Sequence, residues 1–492
     1  VKPVRVPLPS PREGSVTNPR GRRGLALASL LGALGAGCAS SAIPAPADIA
    51  PWLPPERPAE ADAAGDPDDP LAGIAITIAP SAEDGTGDWP IRLEVILELS
   101  AGTALEVGIA RQDLERARAE QRMAAALWFP TLALGTALYH HEGRTQSTEG
   151  LLLDDVHKRN AQTALGLELT LDPAGAHFAG YAARARSRAA RLALDAAAHA
   201  SLHAGANGWF DLLEAQAQLA IARGARRRAE ELVELERTRH ELGQGLLVDL
   251  LRARAHLQRA RGEVIAAANE RRLASTTLAE LLGLEPGAAY TPEQGELRPL
   301  RLVVETDLDL LIERALAARP DLGAARAGQR AHEAEARAAR LDWLVPRLSV
   351  QASVGSMGDD LDDLERQEAF TAALRWDLGL HLFGAAARAE ALSRTASLET
   401  ERSRRRAVSD VVRAWSAGRS SQALILAAVE EVSVAEAALD LSLLRVEQGA
   451  GLLLEALEAD LDLSRARRSL VRAVGDFNRA QYALLRAVGG AD

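Results

Sequence analysis

The stretch WLVPRLSVQASVGSMGDDLDDLERQEAFTAALRWDLGLHLFG, residues 343–384, departs from the chain around it. Its flanks are Ala-, Leu- and Arg-rich with helical spacing. Here Leu348, Val350, Ala352 and Val354 alternate with Ser349, Gln351, Ser353 and Gly355. After the acidic residues Asp359 to Glu368, Phe370, Ala372, Leu374, Trp376, Leu378, Leu380 and Leu382 alternate with Thr371, Ala373, Arg375, Asp377, Gly379 and His381. A period of two places every second side chain on one face, so the pattern predicts two strands with one apolar and one polar face. Pro346 suits the entry of the first, because it lacks an N–H and biases Val345 away from helical geometry. A β-hairpin between two long helices is expected.

The same unit occurs earlier. Trp128-Phe129-Pro130 precedes Leu132, Leu134, Thr136 and Leu138, which alternate with Ala133, Gly135 and Ala137. A polar loop from His140 to Asn160 is expected, followed by Leu165, Leu167, Leu169 and Leu171 against Gly166, Glu168 and Thr170. Aromatic residues are scarce, at 7 Trp, 4 Tyr and 6 Phe. Trp128, Phe129, Tyr139, Phe178, Tyr181, Trp343, Phe370, Trp376 and Phe383 cluster in or beside the two hairpins. Strands of about ten residues with an apolar face and aromatic ends suit an outer-membrane barrel. The alternative is a sheet half-buried on a soluble helical body. Four strands cannot close a barrel, and an open edge is not viable in lipid, so a membrane reading requires further copies of the chain.

Composition narrows the function classes. With 57 basic against 68 acidic residues the net charge is −11, which argues against nucleic acid as a partner. The Arg runs at 226–228 and 404–406 lie near Glu230, Glu231, Glu399 and Glu401 and are expected on solvated helix faces. One cysteine excludes a disulfide framework and a cysteine-based zinc site. No apolar run is long enough for a spanning helix.

Residues 1–37 have the form of an export signal, with Arg20, Arg22 and Arg23 before the short apolar segment Leu25 to Ala36. The lone Cys38 follows Leu34-Gly35-Ala36-Gly37, which resembles the lipobox of bacterial lipoproteins and implies acylation there; cleavage without lipidation is the alternative. Residues 38–90, rich in Pro, Ala, Asp and Gly without periodicity, are expected to form an unstructured tether.

Helical spacing from 93 to 128, with a break near Gly102, leads into the first hairpin. No proline occurs between Pro173 and Pro286, so a helix over about 178–242 is available, roughly 90 Å long. Leu242-Gly243-Gln244-Gly245 predicts a reversal, and a second helix runs to Gly283. Residues 284–307, with three prolines, form an irregular connection. The order then restarts: a helix interrupted at Arg319-Pro320, the hairpin, a long helix over 385–447, a turn at Gly449-Ala450-Gly451 and a final helix. Gly243, Gly245 and Gly283 map onto Gly449, Gly451 and Gly489 at one offset, 206, whereas Pro130 and Pro346 differ by 216. The architecture expected is mixed α and β with an internal two-fold repeat, 91–283 and 308–489.

Arg319-Pro320-Asp321-Leu322 with the Ala/Arg/Glu helix behind it, Pro346-Arg347-Leu348-Ser349, and Gly449-Ala-Gly-Leu-Leu-Leu-Glu-Ala-Leu-Glu-Ala-Asp with its twin after Gly245 carry a resemblance. Over roughly residues 93–489 the chain resembles the TolC-like outer-membrane efflux channels, here in lipoprotein form. The resemblance implies a homotrimer in which each chain gives four strands to a shared transmembrane β-barrel of twelve, joined to a long-helix coiled-coil α-barrel. It implies a passive exit duct of a tripartite efflux or type I secretion system, working with a periplasmic adaptor and an inner-membrane transporter. It places acidic rings at the periplasmic mouth, here Glu455 and Glu458, with Asp249 and Arg252 at the matching places of the first copy. Family members that lock the mouth with a basic residue in the turn have it where Gly451 stands; Arg445 is nearby. The family's aromatic-Asp/Asn-Gly-Gly turn is replaced by Leu171-Asp172-Pro173-Ala174-Gly175 and Leu382-Phe383-Gly384-Ala385.

No catalytic constellation or cofactor is indicated. Asp195, His199 and His203, four apart, lie on one helix face and are expected as an exposed or tunnel-facing stripe rather than metal ligands. Glu236 and His240 read as a surface pair. A lipid-anchored periplasmic coiled-coil scaffold is the competing function, but it has no use for four amphipathic strands. A carboxylate-bridged metal enzyme on a helical bundle would need paired Glu-x-x-His motifs, which are missing.

Overall fold

The computed structural model describes residues 71, 73–77, 88–102, 104–293, 296–305, 307–360 and 362–490. The export signal, Cys38 and most of the tether lie outside the described residues. In chain order the elements are β1 (Ile76–Thr77), β2 (Asp88–Ile91), α1 (Leu93–Gly102), α2 (Leu105–Ala126), β3 (Thr131–Gln146), β4 (Leu152–Leu171), α3 (Pro173–Glu241) and α4 (Leu247–Leu282). After β5 (Ala289–Pro292) and β6 (Glu296–Leu297) come α5 (Leu308–Ala318), α6 (Pro320–Leu341), β7 (Arg347–Gly358), β8 (Glu365–Arg375), α7 (His381–Glu447) and α8 (Leu453–Ala487). The order helix, hairpin, long helix, turn, shorter helix thus occurs twice.

The two hairpins form one antiparallel sheet in the order β3-β4-β7-β8. Its register aligns the apolar positions across all four strands: Leu132 faces Leu167, Leu167 faces Ala352, and Ala352 faces Phe370. Thr131, Glu168, Gln351 and Thr371 form a row on the opposite face. The apolar face is uncovered within the chain, with Leu134 80% and Phe370 73% exposed. A sheet half-buried on a helical body is therefore not what forms. Gly355 is fixed by space: a Cβ there would run into the Thr163 carbonyl oxygen and sit 2.8 Å from Ala164 Cα.

Two strand boundaries differ from expectation. The polar stretch expected as a loop is paired as far as Gln146 opposite Leu152. A ladder needs only backbone groups, and the polar side chains pair across it, as Arg144 does with Asp154. In the other direction β8 ends at Arg375, opposite Arg347, and not at Leu382. Its partner strand begins there, behind a proline with no N–H to offer. Leu378 and Leu380 consequently leave the ladder and stay exposed, while Leu382 opens α7 and is buried.

Helix α3 starts five residues before the expected position. Asp172 caps it by accepting from the Gly175 N–H at 2.8 Å, and Pro173 occupies the first turn, where a missing N–H costs nothing. Asp-Pro thus supplies the strand-to-helix turn in the first half.

The tether and the irregular connection are not wholly unstructured. β1 pairs antiparallel with β6, and β2 runs parallel to β5. Leu71, Ile91 and Leu297 enter the main core with Trp209, Phe210, Leu212 and Phe477, so burial of apolar side chains holds what composition had suggested would be free. Amides on α8 satisfy the connection's backbone. Asn478 accepts from the Leu300 N–H and donates to the Arg298 carbonyl, both at 2.8 Å. Among the described residues no helix is long and apolar enough to cross a membrane.

Candidate functional site

Where strands become helices, Arg347 gathers three carboxylates. It lies 2.9 Å from Asp377 beyond β8, 3.0 Å from Asp342 at the end of α6, and 3.8 Å from Asp172, the α3 cap. One planar guanidinium with several donors therefore ties three of the sheet's four crossings into helix. Pro130 and Pro346 directly precede β3 and β7.

Farther along the helices, Arg319 is nine-tenths buried. It donates to both oxygens of Asp321, at 3.0 and 2.6 Å, and to Asp410 of α7 at 3.1 Å. Burial alone would lower the Arg319 pKa; its bonds to Asp321 and Asp410 outweigh that and raise it. The Arg-Pro-Asp-Leu segment is thus a clip between the α5–α6 joint and α7, with Leu322 buried beneath it.

At the far ends of the helical hairpins the two turns superimpose in their bonding. Gly243 and Gly449 hold φ of 70° and 73°. Gly245 donates to the Arg239 carbonyl at 3.0 Å, and Gly451 to the Arg445 carbonyl at 2.9 Å. The first glycine of each turn supplies left-handed backbone. The second has φ elsewhere but no room: a Cβ on Gly451 would lie 2.8 Å from Arg445 Cβ.

The residues just beyond the turns differ. Asp249 is paired within its own helix with Arg252 at 3.2 Å. Glu455 reaches back across the turn to Arg445, also at 3.2 Å, so it is not simply one of two like charges. Glu458 is exposed one turn on. Both line a groove of about 740 Å³ between α7 and α8, which also carries Glu430, Glu431, Asp462 and Arg465. The Arg465 guanidinium is paired with Asp462 at 2.7 Å. Carboxylates outnumber cations in this groove, which favours cations over anions along it.

Behind the second turn lies a cluster that the sequence reading missed. Asp460 on α8, 1% exposed, accepts from Arg228 of α3 at 2.5 Å and lies 3.0 Å from His256 Nε2 of α4. Arg228 also donates to Ser464 at 3.2 Å. Burial would raise the Asp460 carboxyl, but the His256 hydrogen bond and the Arg228 guanidinium prevail and hold it below its ordinary value. Arg228 is therefore not on a solvated face; only its place in an Arg run suggested that. The signal was available in the spacing: Asp460 follows Leu453, Ala456 and Leu457 on the buried stripe of α8.

One other reading is corrected and one is refined. Glu236 is buried at 2% exposure and pairs with Arg239, while His240 turns toward the Gly245 carbonyl instead of toward Glu236. The Asp195, His199 and His203 stripe, expected as exposed or tunnel-facing, is half-buried within the chain. Burial first, then the charge of Arg486, pushes the His203 pKa down to about 4. Among the described residues no group of His, Cys, Asp and Glu is arranged to hold a metal.

Comparison with known proteins agrees with this architecture. The fold is similar to that of the outer-membrane channel OprN (TM-score 0.73, 21% identity, covering 86% of this chain and 98% of that one). It is also similar to the outer membrane protein VceC of Vibrio cholerae (TM-score 0.71, 22% identity, 81% and 96% covered) and to the CmeC outer membrane channel of Campylobacter jejuni (TM-score 0.74, 16% identity, 81% and 85% covered). Protein CyaE of Bordetella pertussis is 29% identical over 268 residues; the match spans 53% of this chain and 53% of that protein, about half the length of the curated relative. The outer membrane efflux protein family model matches residues 99–284 and 311–490, most of the chain. With its sheet open at both edges and its paired helical hairpins, the chain belongs to the outer membrane efflux protein family.

Proposed function

We propose that three copies of this chain close their four-stranded sheets into one transmembrane barrel of twelve strands, continued by the helical hairpins as a duct through the periplasm. The duct is a passive exit path for substrates delivered by an inner-membrane pump through a periplasmic adaptor, in a tripartite efflux or type I secretion system. Cys38 is acylated and anchors the N-terminus in the outer membrane. Glu455 and Glu458, with Asp249 of the first half, line the periplasmic mouth, and Arg445 holds Glu455 in the closed mouth.

The observation that carries this reading is the four-strand sheet with an uncovered apolar face and two unpaired edges. Such a sheet is stable in lipid only when its edges are closed. A scaffold protein would have no role for it. Arg placed at Leu374 or Leu167, on the apolar face, is expected to cost about 2–4 kcal/mol near the bilayer midplane, whereas Arg at Gln351 on the opposite face is tolerated. The yield of heat-modifiable trimer in outer-membrane fractions reads this out; equal tolerance at all three positions removes the barrel. Planar-bilayer conductance checks the mouth: Glu455→Ala with Glu458→Ala is expected to lower cation selectivity and block by multivalent cations without loss of trimer. Unchanged selectivity and block would take both residues out of the mouth. An unmodified mature N-terminus by mass spectrometry would remove the anchor.

A further inference from the structure

The unpaired edges are β3 and β8, and their side chains carry more than the need for a partner. Along the apolar face β3 presents Leu132, Leu134, Thr136 and Leu138, then His140 and Glu142. On the same face of the sheet β8 presents, read the other way, Leu374, Ala372 and Phe370, then Glu368 and Arg366. Each strand thus changes from apolar to charged at one point. The charges at that point are in opposite order: an imidazole then a carboxylate on β3, a carboxylate then a guanidinium on β8. Among the described residues their ion-pair partners are local. His140 Nε2 lies 3.2 Å from its i+2 neighbour Glu142, and Arg366 lies 2.5 Å from its i+2 neighbour Glu368. All four are more than half exposed.

Resting on the barrel reading above, we infer that β8 of one copy pairs antiparallel with β3 of the next in a single register, with Thr371 opposite Ala137. This register sets Leu374 against Leu134 and Phe370 against Leu138, aligning the apolar band. It also sets Glu368 against His140 and Arg366 against Glu142, exchanging two local contacts for two cross-chain pairs of opposite character. Shifts of one residue are excluded because they would turn one strand's apolar face inward. A shift of two in one direction puts Arg366 opposite Arg144 and Glu368 opposite Glu142, like charges directly across a ladder, which is destabilising. The shift in the other direction sets Glu368 against Leu138 and Phe370 against Thr136, breaking the band.

The sheet's own slope points the same way. The row through Thr131, Glu168, Gln351 and Thr371 starts at the first residue of β3 but reaches β8 four residues short of its end at Arg375. The row therefore climbs away from the helices as it crosses the chain. Entering the next copy at Ala137, beyond Thr131, continues that climb.

Cysteine pairs test the register in the full-length trimer. Thr371→Cys is combined in turn with Gly135→Cys, Ala137→Cys and Tyr139→Cys. Residues directly opposite in a ladder lie about 4.5–5.5 Å apart, within disulfide reach, whereas diagonal neighbours two residues away lie about 7–8 Å apart. Oxidation is expected to give covalent trimers on denaturing gels mainly with Ala137→Cys. Dominant cross-linking at either neighbouring position overturns the register while leaving the trimer in place. No cross-link from any pair in a protein that light scattering shows to be trimeric also overturns it. Only a chain that is not trimeric would undo the reading beneath it. A charge exchange gives an independent readout: Arg366→Glu should reduce heat-resistant trimer at least several-fold, and adding Glu142→Arg should restore most of it. Failure of the second substitution to rescue counts against the pairing.

Discussion

The two long helices α3 and α7 are almost equal in length, 69 and 67 residues, and follow matching hairpins, yet they are built for different surroundings. α3 buries Trp209, Phe210, Leu212 and Leu213 in the chain's main core, and Leu219 is fully buried as well. Of its large apolar side chains only Tyr181 is left exposed. The buried positions of α7 are mostly small: Ala396, Ala407, Ala414, Gly418, Ser421 and Ala428. Its larger residues Leu398, Leu424, Leu426, Val434, Leu441 and Leu444 face outward. A duplicated element order therefore does not mean duplicated roles. α3, with Phe477 and Tyr482 of α8, supplies the large side chains of the single chain's main core, whereas α7 presents an apolar surface that the proposed assembly covers.

The sharpest way to break this comparison is to truncate one helix at a time. Trp209→Ala should cost about 3–5 kcal/mol and largely abolish folded protein. Leu424→Ala on α7 should change single-chain stability by no more than about 0.5 kcal/mol, yet shift the oligomer toward smaller species. Urea unfolding in detergent, with light scattering in parallel, separates the two. Equal effects on unfolding would mean that α7 is as much a core helix as α3.

Next in size is the cluster that joins the halves. Asp460→Asn leaves Arg228 and His256 facing a neutral group and should cost about 3 kcal/mol. Asp249→Asn, which loses a pair largely on the surface, should cost under about 1 kcal/mol. The acid limb provides a second check. Because the folded Asp460 carboxyl titrates below its ordinary value, its stabilisation is present above about pH 4 and is lost as pH falls through the lower folded value. The Asn variant should therefore lose less stability on acidification than the parent.

His203 loses stability in the same direction, at higher pH and through burial and not pairing. Its folded pKa of about 4 lies below that of an unfolded histidine near 6.5, so between these values the unfolded chain binds the extra proton. Stability should fall as pH drops through that window, by on the order of 2 kcal/mol after allowance for partial solvent screening. His203→Gln should flatten the slope. At the repeat offset α7 carries Ser409, so this sensitivity belongs to the first half alone. An unchanged slope in the variant would assign it elsewhere.

The smallest effect is expected at the turns. Arg445→Ala breaks a pair across the turn and Arg252→Ala one within a helix; each should change stability by about 0.2–1 kcal/mol. Hydrogen exchange at Gly449 to Gly451 should rise only for Arg445→Ala, since only that side chain spans the reversal.

Much of this was legible in the residue pattern, for reasons that are local. Alternation of period two needs no tertiary information, so the hairpins and their apolar face could be read from Leu348 to Leu374. The turn glycines announced themselves because left-handed backbone and tight space both exclude other residues. What escaped depended on long-range contacts. Arg228 looked like any member of an Arg run until Asp460 and His256, more than two hundred and nearly thirty residues away, came to meet it. Strand ends were misjudged where a ladder's extent is decided by its partner: Trp376 to Leu382 alternate well but have no strand opposite them. Residues 140–160 look like a loop by polarity, yet the ladder continues to Gln146 opposite Leu152 and only the turn at 147–151 closes it. Leu71 and Ile76 sat in a segment whose average composition hid them.

The inequality of the two hairpins has a practical consequence. β4 pairs with β7 only from Ala161 onward, so residues 139–160 extend past the second hairpin as a two-stranded ribbon ending in a turn at 147–151. That ribbon is attached to the sheet through backbone bonds at its base and contributes nothing to the helical core. It is therefore a natural handle. A short peptide tag inserted between Glu149 and Gly150 should leave export and assembly intact and be reachable by antibody from the medium surrounding living cells, reporting the chain's orientation without breaking them open.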